Sequence, residues 1–346
     1  MPRIADKVTN METDGIDAGL LKSIEGKKHE LDTLRPFPPE IVRKLDEQFT
    51  LEWTYNSNAI EGNTLSPRET DLVINRGLTI GNKTLQEHFE AVNHKQSIQF
   101  VYDFVKKKKE LDEALVLEIH KIILKNISDA DAGQYRNVNV MIRGAVHLPP
   151  SAVKIPALMA EFFAWYYEKK SKLSAVELAA WVHYKLVYIH PFIDGNGRTS
   201  RLIMNLILLQ NGYPPAVILH IDRRKYYQVL QEADREHYTN YFNFIGRSVE
   251  RSLLIYLNVL KSKDDKEDRY GYISLQEASG LCEYGVEYLS YLARTGRLKA
   301  VKLRKNWLTT REALMDYIEN VKKNSKKQAK ADNEAVSPNS RPKGNG

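Results

Sequence analysis

Residues 190 to 201, His-Pro-Phe-Ile-Asp-Gly-Asn-Gly-Arg-Thr-Ser-Arg, bring a base, an acid, a glycine-flanked asparagine and two cations into one short run. His190 is the group there able to take a proton near neutral pH. Gly195 and Gly197 let the backbone curl tightly and approach a bound group, and Asn196 can take unusual φ or donate side-chain bonds. The first turn of a helix leaves N–H groups without internal partners and carries partial positive charge, so a helix beginning here welcomes an anion. Arg198 and Arg201, three positions apart, project from one face of that helix. Two guanidinium forks on one side suit a polyphosphate better than a single carboxylate. Asp194, just before the cradle, is placed to hold a Mg²⁺ that also touches phosphate oxygens. Together these residues describe attack of a hydroxyl on a nucleotide phosphate.

Other chemistries fit less well. No lysine follows the glycines, as a Walker A loop requires. Arg198 stands where an EF-hand needs an oxygen ligand, and Asn205 where it needs the closing glutamate. There is no H-E-x-x-H for zinc hydrolysis. At every defined position the stretch resembles the Fic family motif HPFx(D/E)GNGRxxR, and the likeness extends over roughly residues 50 to 250. That resemblance implies a protein adenylyltransferase, which moves AMP from ATP to a Ser, Thr or Tyr hydroxyl of a target protein. It implies His190 as general base and Asp194 as Mg²⁺ ligand. Gly195, Asn196 and Gly197 would form the anion hole, with Arg198 and Arg201 on the β and γ phosphates.

Positioning these groups takes a mainly helical body. Ile41, Leu45, Phe49 and Trp53 stack on one face of a helix from Pro39, which Gly62 and Asn63 stop. Ser66, Pro67 and Glu69 supply the capping signature of the next helix. Helical periods follow over 84–107, 111–126, 155–170 and 174–189; the last ends near His190 because a residue before proline disfavours the helical region. The segment Arg201 to Gly212 is apolar almost all round, which marks a buried central helix, and 222–236 and 238–260 complete the set. Residues 1–35 lack a sustained period and are expected to be partly ordered at most. Alternation of Val138, Val140 and Ile142, a turn at Arg143-Gly144, then Val146 and Leu148 predict a β-hairpin flap. The flap, 136–149, would align a target's backbone by strand addition.

The helix that ends in Ser-Asn-Ala-Ile-Glu-Gly-Asn carries Ser57 and Glu61, and it resembles the (S/T)xxxE(G/N) inhibitory motif found N-terminal to some Fic domains. A carboxylate there would pair bidentately with Arg201 and fill the space of a γ-phosphate. Ser57, one turn earlier, would fix the Glu61 rotamer. In some family members the same glutamate is linked to removal of AMP, so a de-AMPylating enzyme is an alternative. Tyr226, Tyr227 and Asn240 are the candidates for the adenine side.

Composition sets the outer bounds. The chain has 346 residues, 42% hydrophobic and 27% charged, and one cysteine, Cys282, which excludes an internal disulfide framework and a multi-cysteine zinc site. With no long apolar run and no signal segment at the start, the expectation is a cytoplasmic protein without membrane contact. A net charge of +7 favours polyanionic partners, although part of it lies in the tail 322–346, expected to be disordered. The divisions read are an N-terminal segment 1–35, helices including the inhibitory one over 36–110, the Fic core over 111–260, a linker over 261–270, and a small domain over 271–321. That domain reads as helix, turn, helix, two strands and a helix. Leu275, Ala278 and Leu281 would face Val286, Leu289 and Leu292. It resembles a winged helix of the excisionase or MerR type. Arg294, Arg297, Lys299, Lys302, Arg304 and Lys305 would meet phosphates, while Glu283 and Glu287 lie where base contacts normally arise. DNA through 271–321, a protein partner and a second copy of the chain are the candidate partners. The alternative function of a different class is a DNA-binding regulator with a nucleotide-sensing site, which would need no base at His190.

Overall fold

A computed structural model describes residues 15–142, 147–261, 272–303, 306–310, 313–318 and 321. The chain divides into two compact units, the first ending at Leu260 and the second beginning at Lys261.

The first unit is built of helices and the loops between them, with no strand among its described residues. Its elements are α1 (Ala18–Thr33), α2 (Pro39–Glu61), α3 (Pro67–Arg76), α4 (Leu85–Lys106), α5 (Glu113–Leu124), α6 (Ile155–Lys169), α7 (Ala175–Ile189), α8 (Asn196–Gln210), α9 (Arg223–Asp234) and α10 (Thr239–Lys261). Local chemistry sets their ends. Ser66 and Thr84 both close capping boxes, with Glu69 and Glu87. Gly62 ends α2 at φ 110°, a left-handed conformation that suits glycine. Helix α8 lies at the centre: Leu202, Ile203, Met204, Leu206, Ile207 and Leu208 are all buried. Each such side chain contributes about 1.5–3 kcal/mol on leaving water. Its most extensive partner is α7, with α4, α5 and α2 around it.

Two expectations need correction. Residues 18–33 form a full helix, capped by Asp17, which accepts from the Gly19 and Leu20 N–H groups. Its period is faint because only Ile24 and Leu31, seven apart, are fully buried. Tertiary packing decides the matter: Gly246 on α10 leaves a groove in which Leu20 and Ile24 lie, and Lys27 and Ser23 bind Glu250 on the same helix. The second correction concerns the flap. Among its described residues, 136–142 and 147–149, there is no strand; the turn, Arg143 to Val146, lies outside the described residues. Side chains take the place of a ladder, since Arg136 donates to the Val138 and Pro150 carbonyls and Ala152 N–H donates to Asn139.

Helix α4 also differs from an ordinary apolar stripe. Its buried face includes His88, Asn93, His94 and Ser97, while Phe89 and Val92 are only partly covered. Asn93 donates to the Ile123 and Lys125 carbonyls and so ties α4 to the end of α5.

The second unit contains β1 (Tyr272–Ser274), α11 (Leu275–Ser279), α12 (Val286–Arg294), β2 (Ala300–Leu303) and β3 (Asn306–Thr310), followed by a helical segment at 313–318. The strands form one antiparallel sheet in the order β1-β3-β2, with Ile273 opposite Thr309 and Val301 opposite Leu308. Strand β1 was not expected, because three residues are too few to display a period. Leu275, Ala278, Leu289, Leu292, Leu298 and Leu314 make the core. Leu281 does not join it and is 41% exposed. Residues 262–271, most of the linker, Arg304, Lys305 and the tail 322–346 lie outside the described residues.

Candidate active site

The site is the junction of α7 and α8. Helix α7 ends on His190, whose φ of 50° and ψ of 60° are left-handed; its N–H still donates to the Leu186 carbonyl at 3.0 Å. Proline 191 prevents further helix. The loop is pinned by one side chain: Asn196 accepts from Phe192 N–H and donates to Phe192 O, both at 2.9 Å. Asn196 therefore shapes the cradle with its amide and can meet an anion through its backbone only. Gly195 caps α8 at φ 76°, and a Cβ there would stand 3.2 Å from the His120 ring. Glycine is required on both counts.

His120 braces the loop from α5. Its ring stacks on Phe192 with centroids 3.6 Å apart, Nδ1 accepts from Gly133 N–H at 3.0 Å, and Nε2–H donates to Asp194 O at 2.9 Å. The Asp194 side chain is 57% exposed; Oδ1 accepts from Gly195 N–H at 2.6 Å and Oδ2 from Arg198 at 3.0 Å. Among the described residues no group of three His, Cys, Asp or Glu is arranged to hold a metal. An exposed carboxylate of this kind, though paired with Arg198, suits an ion that keeps several waters and is shared with phosphates, as Mg²⁺ does.

The two arginines are both buried but held by different helices. Arg198 lies between Asp194 and Glu90 of α4, 3.5 Å from the latter. Arg201 turns to α2, where Nε donates to Ser57 Oγ at 3.0 Å, and Nη2 to Ser57 O at 2.9 Å and Glu61 Oε1 at 2.7 Å. The expected bidentate fork is thus a single bond to the carboxylate, and Ser57 steadies Arg201 rather than Glu61. The Glu61 carboxylate lies against the first turn of α8: a Cβ on Gly197 would collide with it. Burial alone would pull the Arg201 guanidinium down, but Glu61 beside it reverses the shift and raises it.

Burial lowers the His190 pKa to about 4; Arg136 and His147 push the same way, and the Val187 carbonyl and Glu61 oppose them. The imidazole is therefore neutral at pH 7. Its Nδ1 faces Val187 O at 3.4 Å, so a proton on Nδ1 leaves the Nε2 lone pair open.

The three adenine candidates have separate surroundings. Tyr226 is enclosed in the core, and its hydroxyl is 2.9 Å from His183 Nε2. Tyr227 donates to Ile60 O at 3.3 Å under the Arg223 guanidinium, and it lines a surface depression with Ile221, Arg224 and Gln228. Asn240 is exposed and donates to Glu232 at 2.8 Å. Sequence reasoning missed Glu90, His120 and Arg136, and also Arg223, which donates to Ile60 O at 2.6 Å beside Glu61. All are remote from the motif in sequence. A usable signal existed for His120, a polar residue inside the apolar run of α5.

Comparison with known proteins places the chain beside Fic proteins. The family model of the Fic/DOC family matches residues 110–208. A protein adenylyltransferase Fic from Nematostella vectensis is 34% identical over 246 residues, 70% of this chain and 56% of the relative. The one from Drosophila persimilis is 33% identical over 243 residues, 70% of this chain and 47% of the relative. The chain spans about half the length of these curated relatives. Among solved structures, a Fic domain containing signaling protein from Bacteroides thetaiotaomicron superposes with a TM-score of 0.66 at 30% identity, covering 71% of this chain and 99% of that one. Fic-1 from C. elegans gives 0.65 at 28% identity, covering 70% of this chain and 72% of that one.

Proposed function

The chain belongs to the Fic family, and from that premise we propose that it transfers AMP from ATP to a hydroxyl of a target protein under the restraint of its own Glu61. One observation carries this reading: the first turn of α8 already holds an anion, the Glu61 carboxylate, bonded to Arg201 at 2.7 Å and packed on Gly197. A site built to hold a phosphate should bind a carboxylate in the same way.

In the proposed reaction the target's hydroxyl oxygen attacks the α-phosphorus, its proton passes to His190 Nε2, and the bond from the α-phosphorus to the bridging oxygen breaks. The products are the AMP-modified target and pyrophosphate. His190 suits the role by its geometry: Nδ1 faces Val187 O at 3.4 Å, which leaves Nε2 to take the proton. Asp194 would hold Mg²⁺, which supplies charge neutralisation for the phosphates when bound. Arg201 and the N–H groups of Asn196 and Gly197 would orient the triphosphate, with Arg198 at the flank beside Asp194. While Glu61 occupies Arg201, ATP cannot align for in-line attack.

The test is the Glu61→Gly protein incubated with ATP, Mg²⁺ and a lysate, followed by mass spectrometry. A gain of one AMP on a target, much larger than with the unaltered chain, is expected; equal or absent modification in both would refute the reading.

For the second unit we infer a winged helix in which α12 is the exposed helix and β2 and β3 the wing. Its outer face presents Glu287, Tyr288 and Tyr291, the tyrosines 43% and 44% exposed. An aromatic face on which Arg294, one turn from Tyr291, offsets Glu287 favours a protein partner over duplex DNA.

A further inference from the structure

Arg136 is 3% exposed, and its guanidinium is directed at backbone carbonyls from three segments. Nε donates to His190 O at 2.8 Å, Nη1 to Val138 O at 3.0 Å and Nη2 to Pro150 O, while its own N–H donates to Pro191 O at 2.9 Å. Val138 belongs to the first limb of the flap, and Pro150 directly follows the second. His190 and Pro191 are the turn that presents the imidazole.

We propose that Arg136 is a positioning residue that fixes the pose of His190 and registers both limbs of the flap to it, so that a hydroxyl carried on the flap meets the imidazole. The inference rests on the adenylyl-transfer reading and deepens it. The left-handed backbone of His190, before a proline, persists only where its surroundings over-determine it. The Arg136 bonds on both sides of the His190–Pro191 peptide link supply that determination. Two further contacts join the same parts: His147, on the second limb, approaches Tyr188 O at 2.9 Å and stacks on the Tyr188 ring at 4.1 Å, two residues before His190. No bond from Arg136 reaches the Gly195–Arg201 cradle, so nucleotide binding should not depend on it. A guanidinium fork can satisfy three carbonyls at once, and a lysine ammonium on its flexible stem cannot hold the same geometry.

The test compares Arg136→Lys and Arg136→Met in the Glu61→Gly background, using ATP labelled on the α-phosphate for transfer and calorimetry for ATP affinity. A displacement of about 1 Å costs roughly 10²-fold in rate. Transfer is expected to fall by about that factor in Arg136→Met and less in Arg136→Lys, with the dissociation constant for ATP changed by less than about twofold. Unchanged transfer, or rate and ATP affinity falling together, would overturn the proposal. Amide hydrogen exchange on the same proteins decides the point without activity. Faster exchange at 137–142, 147–150 and 189–192 together, with α10 unchanged, is expected; exchange that rises in only one of these segments rejects the joint. If the Glu61→Gly parent itself transfers nothing, the adenylyl-transfer reading fails, and the exchange result still decides the role of Arg136.

Discussion

At the scale of single residues, the account turns on a histidine kept neutral. His190 must accept a proton, which it can do only above its own pKa, and burial first among the causes lowers that value from 6.5 to about 4. The acid limb of the kcat/KM profile of the Glu61→Gly protein, which reports the nucleotide-free enzyme, should therefore fall near pH 4 rather than near 6.5, so activity persists through pH 6 and 5. A limb at pH 6 to 7 would show that an unburied histidine, or another group, is the base. His190→Ala should cost about 10²–10⁴-fold in transfer and leave ATP affinity within about twofold, as a calorimetric titration can check. The motif residues were legible because their types and order state their chemistry. Glu90 and Arg136 were not, since each acts across a long sequence separation through a bond that only the fold creates, and His120 gave only the hint of a polar residue in an apolar run. Asn196 shows the converse: its presence was legible, but its side chain holds the loop instead of facing outward.

At the scale of elements, helix ends and apolar faces with local signals could be read, as with the capping boxes at Ser66 and Thr84 and the apolar run of α8 after Arg201. Elements defined by their partners could not. Helix α1 exists because α10 carries Gly246, where a Cβ would stand 3.1 Å from Leu20 and 3.4 Å from Ile24. Gly246→Leu should overpack this contact and destabilise the first unit by about 1–3 kcal/mol, seen as a lower urea midpoint and faster amide exchange in α1. An unchanged midpoint with α1 still protected would mean that the groove does not hold the helix. The flap misled for the opposite reason: alternating Val138, Val140 and Ile142 suggest a ladder, but the neighbouring carbonyls are bonded by the Arg136 side chain. Helix α2 combines both cases. Its period and stop were plain, whereas the hold on its last turn by Arg223 and Tyr227 came from α9.

At the scale of the whole molecule, the chain joins a helical unit that bears the site to a smaller unit with its own core. No helix among the described residues is long and apolar enough to cross a membrane. The net charge of +7 invites a nucleic-acid reading, yet the exposed face of α12 is aromatic, with Tyr288 and Tyr291 between Glu287 and Arg294, whose charges cancel. Gel shifts with duplex DNA between low and moderate salt should accordingly show no retention; complexes that weaken steeply with salt would mark phosphate contact and reverse the assignment. The central claim is that α8 holds the Glu61 carboxylate of α2 where a triphosphate must align for attack at the α-phosphorus. The most direct measurement supplies the Glu61→Gly protein with ATP labelled at either the α- or the γ-phosphate and follows the label into protein. The account predicts incorporation from the α-position alone, lost when His190→Ala is added; incorporation from the γ-position, or equal labelling with and without Glu61, would contradict it.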